Sequence, residues 1–203
     1  MPLPDYIFQL HGWCPREKGE RMYNLVKDTR AELTVELGVY GGRSFIPMVY
    51  GHKDGGHGKA VGVDPWATSD SIANYPPSDP NYEWWDSIDH NNIYNIFQAV
   101  LAANDLTAFC EIHRKKSTEV VDMFEDGSID VLHQDGNHSV ESSVWEVNAF
   151  ANKVKPGGYW IMDDTDWDTT KEAQAKLLRH GYDLVEDYTK WRLYRRPTDQ
   201  PAI

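Results

Sequence analysis

Cysteine is nearly absent from this chain: Cys14 and Cys110 are the two in 203 residues, and no Cys-x-x-Cys pair exists. That excludes a disulfide framework and makes a reducing compartment the expectation. Long apolar runs are missing as well, none approaching the roughly 20 residues a membrane span needs. Positive charge is scarce: 20 Lys and Arg against 32 Asp and Glu leave a formal charge of −12. A protein that tracks nucleic-acid phosphates needs a basic stripe, so that class is excluded. The dense basic runs, His113 to Lys116 and Arg192 to Arg196, are short and read as a solvated strand end and a tail. The N-terminal Met-Pro-Leu-Pro-Asp-Tyr carries neither a basic n-region nor a continuous apolar h-region, so no signal peptide is expected. No internal repeat is visible. These absences describe a soluble, cytoplasmic protein with neither nucleic acid nor membrane as partner.

What remains is ordinary globular material. Apolar residues make up 40% of the chain, with eight Trp and eleven Tyr, and the length suits one domain with a full core. Apolar runs of strand type alternate with helical stretches. Strands are expected at about Thr34–Leu37, Ala60–Asp64, Phe109–His113, Ile129–His133 and Tyr159–Met162, with a terminal antiparallel pair over Leu184–Tyr188 and Trp191–Tyr194. Helices are expected over 44–51, over 84–103, from Ser117, from Ser139 to about Val154 with a stop at Lys155-Pro-Gly-Gly158, and over 169–180. The Pro-, Asn- and Ser-rich residues 67–81 read as irregular loop. Residues 1–30 form an N-terminal segment packing on a domain over 31–196, and residues 197–203 a disordered tail. Strands alternating with helices imply an α/β fold with a mostly parallel sheet, whose ligands sit outside the carboxyl ends of the strands.

Four of those strands carry an acid at or just past their ends. Thr34-Val-Glu-Leu-Gly-Val-Tyr-Gly-Gly-Arg-Ser44 reads as a strand, a glycine turn and a helix N-terminus, with Glu36 near the strand end and Ser44 placed to cap. The spacing fails the nicotinamide fingerprint, because Tyr40 and Arg43 stand where glycines are required. It also fails the phosphate loop, because Gly58-Lys59 runs into Ala60. What is left is Glu36, Gly38, Gly42 and Ser44, an acid beside bare backbone, suited to a ligand ammonium; a tight turn without ligand uses the same residues. Asp64 closes the second strand, where a carboxylate accepts from both hydroxyls of a ribose. Asp135 and His138 follow the fourth strand, and Asp163 and Asp164 end the fifth. Adjacent strands lie about 4.8 Å apart, so these carboxylates can meet on one oxygen-ligated cation such as Mg²⁺. Turn and cap duty for the same acids is the alternative.

In this order, Glu36-x-Gly38…Gly42-x-Ser44, Val-Asp64-Pro-Trp66, Ser117, Asp130 to Ser139 and Lys155 to Asp164 together resemble the class I S-adenosylmethionine-dependent methyltransferases. Within them the chain is similar to the small branch of macrocin-type and catechol-type O-methyltransferases, over about residues 30–195. The resemblance implies a Rossmann-like, doubly wound, seven-stranded sheet with a late antiparallel strand. It implies that Glu36, Gly38, Gly42 and Ser44 hold the methionine end of the cofactor, Asp64 its ribose and Ser117 its adenine side, with Asp135 also lining the site. It implies Asp135, Asp163 and Asp164 as ligands of a divalent cation, and a small-molecule substrate with a hydroxyl. The family's usual Asp-Gly-Asp-His reads Asp135-Gly-Asn137-His138 here.

In such a site Asp135 and His138 are the catalytic candidates, His138 as proton acceptor or substrate contact. The aromatic-rich insert 66–85, with Trp66, Tyr75, Tyr82, Trp84 and Trp85, is placed to fold over the crevice or to pack a satellite core. The segment with Tyr6, Phe8, His11 and Trp13 either covers the same mouth or makes a homo-oligomer contact. Two rival readings are a metal-dependent phosphoesterase and a non-catalytic nucleoside-binding protein. The former needs an early Asp-x-His, which the sequence lacks.

Overall fold

The computed structural model describes residues 2–199. Its strands are β1 (Leu33–Leu37), β2 (Lys59–Val63), β3 (Cys110–His113), β4 (Ile129–Gln134), β5 (Val154–Asp163), β6 (Asp183–Asp187) and β7 (Trp191–Arg195). They form one seven-stranded sheet in the order β3-β2-β1-β4-β5-β7-β6. β1 to β5 run parallel, and β7 lies antiparallel between β5 and β6. This is the Rossmann-like α/β sheet expected from the sequence, with its terminal antiparallel pair. The central strands are apolar because both faces are covered.

The helices are α1 (Arg16–Thr29), α2 (Phe45–Gly55), α3 (Thr68–Ser71), α4 (Pro80–Asp86), α5 (His90–Ala103), α6 (Ser117–Val120), α7 (Val140–Phe150) and α8 (Lys171–Arg179). One core layer joins α1, α2 and α5 to the sheet through residues such as Met22, Phe45, Phe97, Val131 and Ile161. The opposite layer joins α6, α7 and α8 through Val120, Phe150, Leu177, Leu132 and Trp160. Strand side chains alternate between these layers. On β1, Val35 and Leu37 enter the α7 layer, so Thr34 and Glu36 face α1 and α2. The parallel register sets Glu36 of β1 beside His133 of β4, and His133 beside Ile161 of β5. A short polar row therefore runs across an otherwise apolar sheet face.

Several boundaries differ from the sequence expectation, each for a local reason. The single helix expected over 84–103 is two. Asp89 accepts from the Asn92 N–H at 3.0 Å and starts α5 afresh, while Asp79 starts α4 in the same way. The region 67–81 contains α3 and the start of α4 rather than loop alone. The helix from Ser139 ends at Phe150, and Lys155 to Gly158 are not its stop. They lie within β5, where the ladder slips between Ile129 and Val131 and makes room for Pro156. Ser44 stands at the N-terminus of α2 but makes no capping bond; its hydroxyl turns to Glu36 instead. α1, not resolved as a helix in the sequence reading, packs on α2 with Met22, Leu25 and Val26 buried. The tail expected from residue 197 lies, for 200–203, outside the described residues.

Candidate active site

The chain leaves β1 toward β2 on one side and returns to β4 on the other, so the β1/β4 junction is the switch point where such sheets take ligands. The glycine turn closes against that junction. Gly38 has φ +88°, and its missing side chain leaves space filled by the Asp135 and Gly136 backbone. Gly38 N–H donates to the Val63 carbonyl at 2.9 Å, and Asp135 N–H to the Leu37 carbonyl at 2.8 Å. Gly42, at φ +81°, admits the Phe97 ring in the same manner. Asp64 clasps the turn from the end of β2. Its Oδ2 accepts from the Val39 and Tyr40 N–H groups at 3.0 and 2.9 Å, and its Oδ1 from Trp66 N–H at 2.6 Å. Burial pushes its carboxyl upward, and those backbone donors oppose the rise.

Beneath the turn lies the polar row. Glu36 is fully buried and accepts from the Ser44 hydroxyl at 2.6 Å. Among the described residues its other oxygen and His133 Nδ1 have no hydrogen-bond partner, and they face each other at 3.4 Å. Burial holds the Glu36 carboxyl well above its ordinary range and the His133 imidazole well below its own. From α1, Lys18 descends onto this row. It is 1% exposed, with its ammonium 3.1 Å from His133 Nε2 and paired with Asp163 Oδ2. Burial works against that ammonium, but Asp163 and Asp135 outweigh it and raise its pKa. Burial likewise works against a charged Asp163, and Lys18 overrides it, so the carboxyl is held below the ordinary range.

Closer to solvent, His138 Nε2 bonds Asp164 at 2.8 Å and lies 3.6 Å from Asp135. Burial opposes a charged His138, yet its bonds to Asp135 and Asp164 lift the imidazole to about 10. Asp135 is pushed up, first by burial and then by the charge of Asp163. Asn137 does something an aspartate cannot. Its amide nitrogen donates to the carbonyls of Asp70, Ser71 and Ala73 at 3.2, 3.3 and 2.9 Å, while its oxygen accepts from Ser139 N–H at 2.9 Å. The residue that departs from the family pattern thus ties the insert to the site. Ser117, at the start of α6, hydrogen-bonds buried Glu146, whose carboxyl burial lifts to about 7.

Above the turn, Trp13 stacks on Tyr40 at 6.0 Å, and Trp84 meets Trp13 at 5.0 Å, with Trp85 edge-on to Tyr40 at 5.5 Å. The N-terminal segment and the insert therefore meet over the crevice. Trp66 is core instead, stacked on Phe97 at 5.8 Å and donating from Nε1 to the Tyr40 carbonyl.

Of the residues singled out in the sequence, Gly38, Gly42, Asp64 and Asp135 gather at the switch point, and Glu36 and Ser44 lie just below. The three proposed metal ligands do not meet as a trio. Among the described residues, the groups with donor atoms near one another are Glu36, His133 and Asp135, and Asp135, His138 and Asp164. Asp163 hydrogen-bonds Asp135 and gives Oδ2 to Lys18. The oxygen-only set that a hard cation prefers is interrupted here by an ammonium and an imidazole. Sequence reading missed Lys18, His133 and Glu146. Lys18 had a signal, since it falls on the same helical face as Met22, Leu25 and Val26.

A Rossmann-like sheet of this strand order, with a glycine turn and an acid at the end of β2, defines a class I methyltransferase fold. The chain belongs to the family described as "Methyltransferase domain", which matches residues 35–165. Among solved structures it is similar to the O-methyltransferase NovP, at TM-score 0.67 and 17% identity over 89% of this chain and 78% of that one. It is also similar to the S-adenosylhomocysteine-bound methyltransferase PaMTH1 of Podospora anserina, at TM-score 0.64 and 12% identity over 96% and 88%. The O-methyltransferase TomG of Streptomyces achromogenes, solved with S-adenosylmethionine, gives 0.59 and 13% over 91% and 82%. A curated relative, uncharacterized protein y4gI of Sinorhizobium fredii (strain NBRC 101917 / NGR234), is 31% identical over 85 residues. That is 40% of this chain, which spans 9% of the relative's length.

Proposed function

We propose that this protein transfers a methyl group from S-adenosylmethionine to a hydroxyl of a small molecule. The observation that carries the reading is the Asp64 clasp on the glycine turn, set at the β1/β4 switch point with Asp135 in contact with Gly38. The chain supplies what such a cofactor needs there: half-buried carboxylates for a cationic ligand, and a β2-terminal acid for a ribose. Neighbours of the same fold, NovP and TomG, are O-methyltransferases by description, which supports a hydroxyl acceptor.

When bound, the cofactor presents a sulfonium methyl that an oxygen nucleophile takes in line, the C–S bonding pair staying on sulfur. The protein's work is then to place the acceptor and remove its proton. Asp135 is the proton acceptor in this reading: it is half-buried, and its partners His138 and His133 stand 3.6 and 3.9 Å away. His138 is the positioning residue, since its Nε2 is engaged by Asp164 at 2.8 Å. Glu36 acts from beneath through Ser44, Asp64 holds the ribose, and Ser117 flanks the adenine. The rings of Trp13, Tyr40, Trp84 and Trp85 exclude water over the mouth.

Titration calorimetry with S-adenosylhomocysteine tests the cofactor half. Wild type binds, and Asp64→Ala binds at least about 100-fold more weakly, a loss of about 2.7 kcal/mol. Undiminished binding by Asp64→Ala sinks the ribose assignment. Transfer of a labelled methyl group to a panel of phenols and sugars, abolished in Asp135→Asn, tests the acceptor half.

A further inference from the structure

The family resemblance asks for a divalent cation between Asp135, Asp163 and Asp164. That space is already filled by the protein's own nitrogen atoms. The Lys18 ammonium contacts Asp163 Oδ2 and lies 3.1 Å from His133 Nε2, while His138 Nε2 bridges the gap from Asp164 to Asp135. Both remaining groups of possible donors share Asp135, and each includes an imidazole: His133, whose Nε2 faces Lys18, and His138, whose Nε2 is bonded within its own group to Asp164. A divalent ion beside Asp163 would sit against the buried Lys18 ammonium, where repulsion between like charges is stronger than at the surface.

Lys18 is also fixed in place. Met22, Leu25 and Val26, on the same helix face, are buried in the core against α2. The ammonium therefore cannot leave the cluster by a surface rotation; the helix would have to move. The Trp191 ring, its centroid 6.0 Å from Nζ, closes another side. An ammonium is a compact point charge with three donors, and a carboxylate and an imidazole nitrogen satisfy two of them here.

We propose that Lys18 is the resident cation of this carboxylate cluster, taking the place of a divalent metal, so that the site assembles and binds its cofactor without one. The consequence for cofactor binding rests on the methyltransferase reading above; the occupancy of the cluster does not.

The test follows Mn²⁺ by electron paramagnetic resonance, in wild type, Lys18→Met, Asp163→Asn and the double variant. Wild type leaves the free Mn²⁺ signal unchanged up to about 1 mM. Lys18→Met gains one site at least about 10-fold tighter than any in wild type, and the double variant loses it again. In parallel, S-adenosylhomocysteine binds wild type with the same affinity in EDTA and in Mg²⁺. Saturable Mn²⁺ binding by wild type that disappears in Asp163→Asn overturns the proposal, as does cofactor affinity that collapses in EDTA. Should Lys18→Met fail to fold, the comparison of wild type with Asp163→Asn decides alone. Absence of cofactor binding in both buffers would instead remove the methyltransferase reading, leaving the Mn²⁺ titrations to judge Lys18.

Discussion

Single side chains in this protein hold positions that chemically similar residues cannot. Asn137 is the plainest case, because an aspartate there would aim a carboxylate at three carbonyl oxygens. Asn137→Asp is expected to cost about 1–3 kcal/mol, read by urea denaturation, and to expose the insert to limited proteolysis near residues 70–75. Lys18→Met takes the ammonium from buried Asp163 and costs about 3–5 kcal/mol. Adding Asp163→Asn recovers most of that loss, and additive losses in the cycle would show that the pair is not coupled. Glu146 carries a pH signature. Its folded pKa, lifted to about 7 by burial, exceeds the unfolded value near 4.3. The fold therefore holds that proton more tightly, and the associated stability is full below about pH 4 and lost as pH rises through 7. Glu146→Gln should flatten the stability curve between those limits; an unchanged slope would assign the proton elsewhere.

At the scale of elements, the glycine turn is the least replaceable. Gly38→Ala would drive a methyl into the Asp135 carbonyl at a φ that favours glycine. We expect insoluble or unfolded protein, with Gly56→Ala as the control, since space is open there and a positive φ is its sole penalty. The elements also show how far the sequence could be read. Strands and their acid-bearing ends were legible because apolar runs of four to six residues stop at polar or glycine residues. The break between α4 and α5 was hidden, because no glycine or proline falls between Trp84 and Leu101 to mark the cap at Asp89. α1 was obscured by its charge, with Lys18 inside the buried face itself. The pairing of Lys18 with Asp163, 145 residues apart in the chain, depends on tertiary packing that no local pattern announces. Glu36 was legible as an acid at a strand end, but its burial against His133 follows from strand register, which appears only once the sheet order is known.

For the molecule as a whole, opposing titrations set the working range. His133, held neutral by burial, opposes folding as pH falls below about 6.5, because the unfolded chain takes that proton and the fold does not. Asp135 and Glu146 act in the opposite direction, their contribution being lost as pH rises from about 4 to 7, and His138 extends the alkaline loss toward 10. On these groups stability should be highest near about pH 4 to 5 and decline toward alkali, and a maximum at pH 9 in denaturation curves would contradict these assignments. The charge of −12 adds self-repulsion above neutrality, so moderate salt should raise the melting temperature more at pH 8 than at pH 6. Among the described residues no helix is long and apolar enough to cross a membrane.

The rings over the crevice have a practical outcome. Trp13 is 66% exposed, yet it stacks on Tyr40 of the glycine turn and touches Trp84 of the insert. Three segments far apart along the chain thus share one fluorophore cluster at the entrance. Intrinsic emission should change colour and intensity when a guest arrives, giving an unlabelled optical titration of everything that passes that doorway.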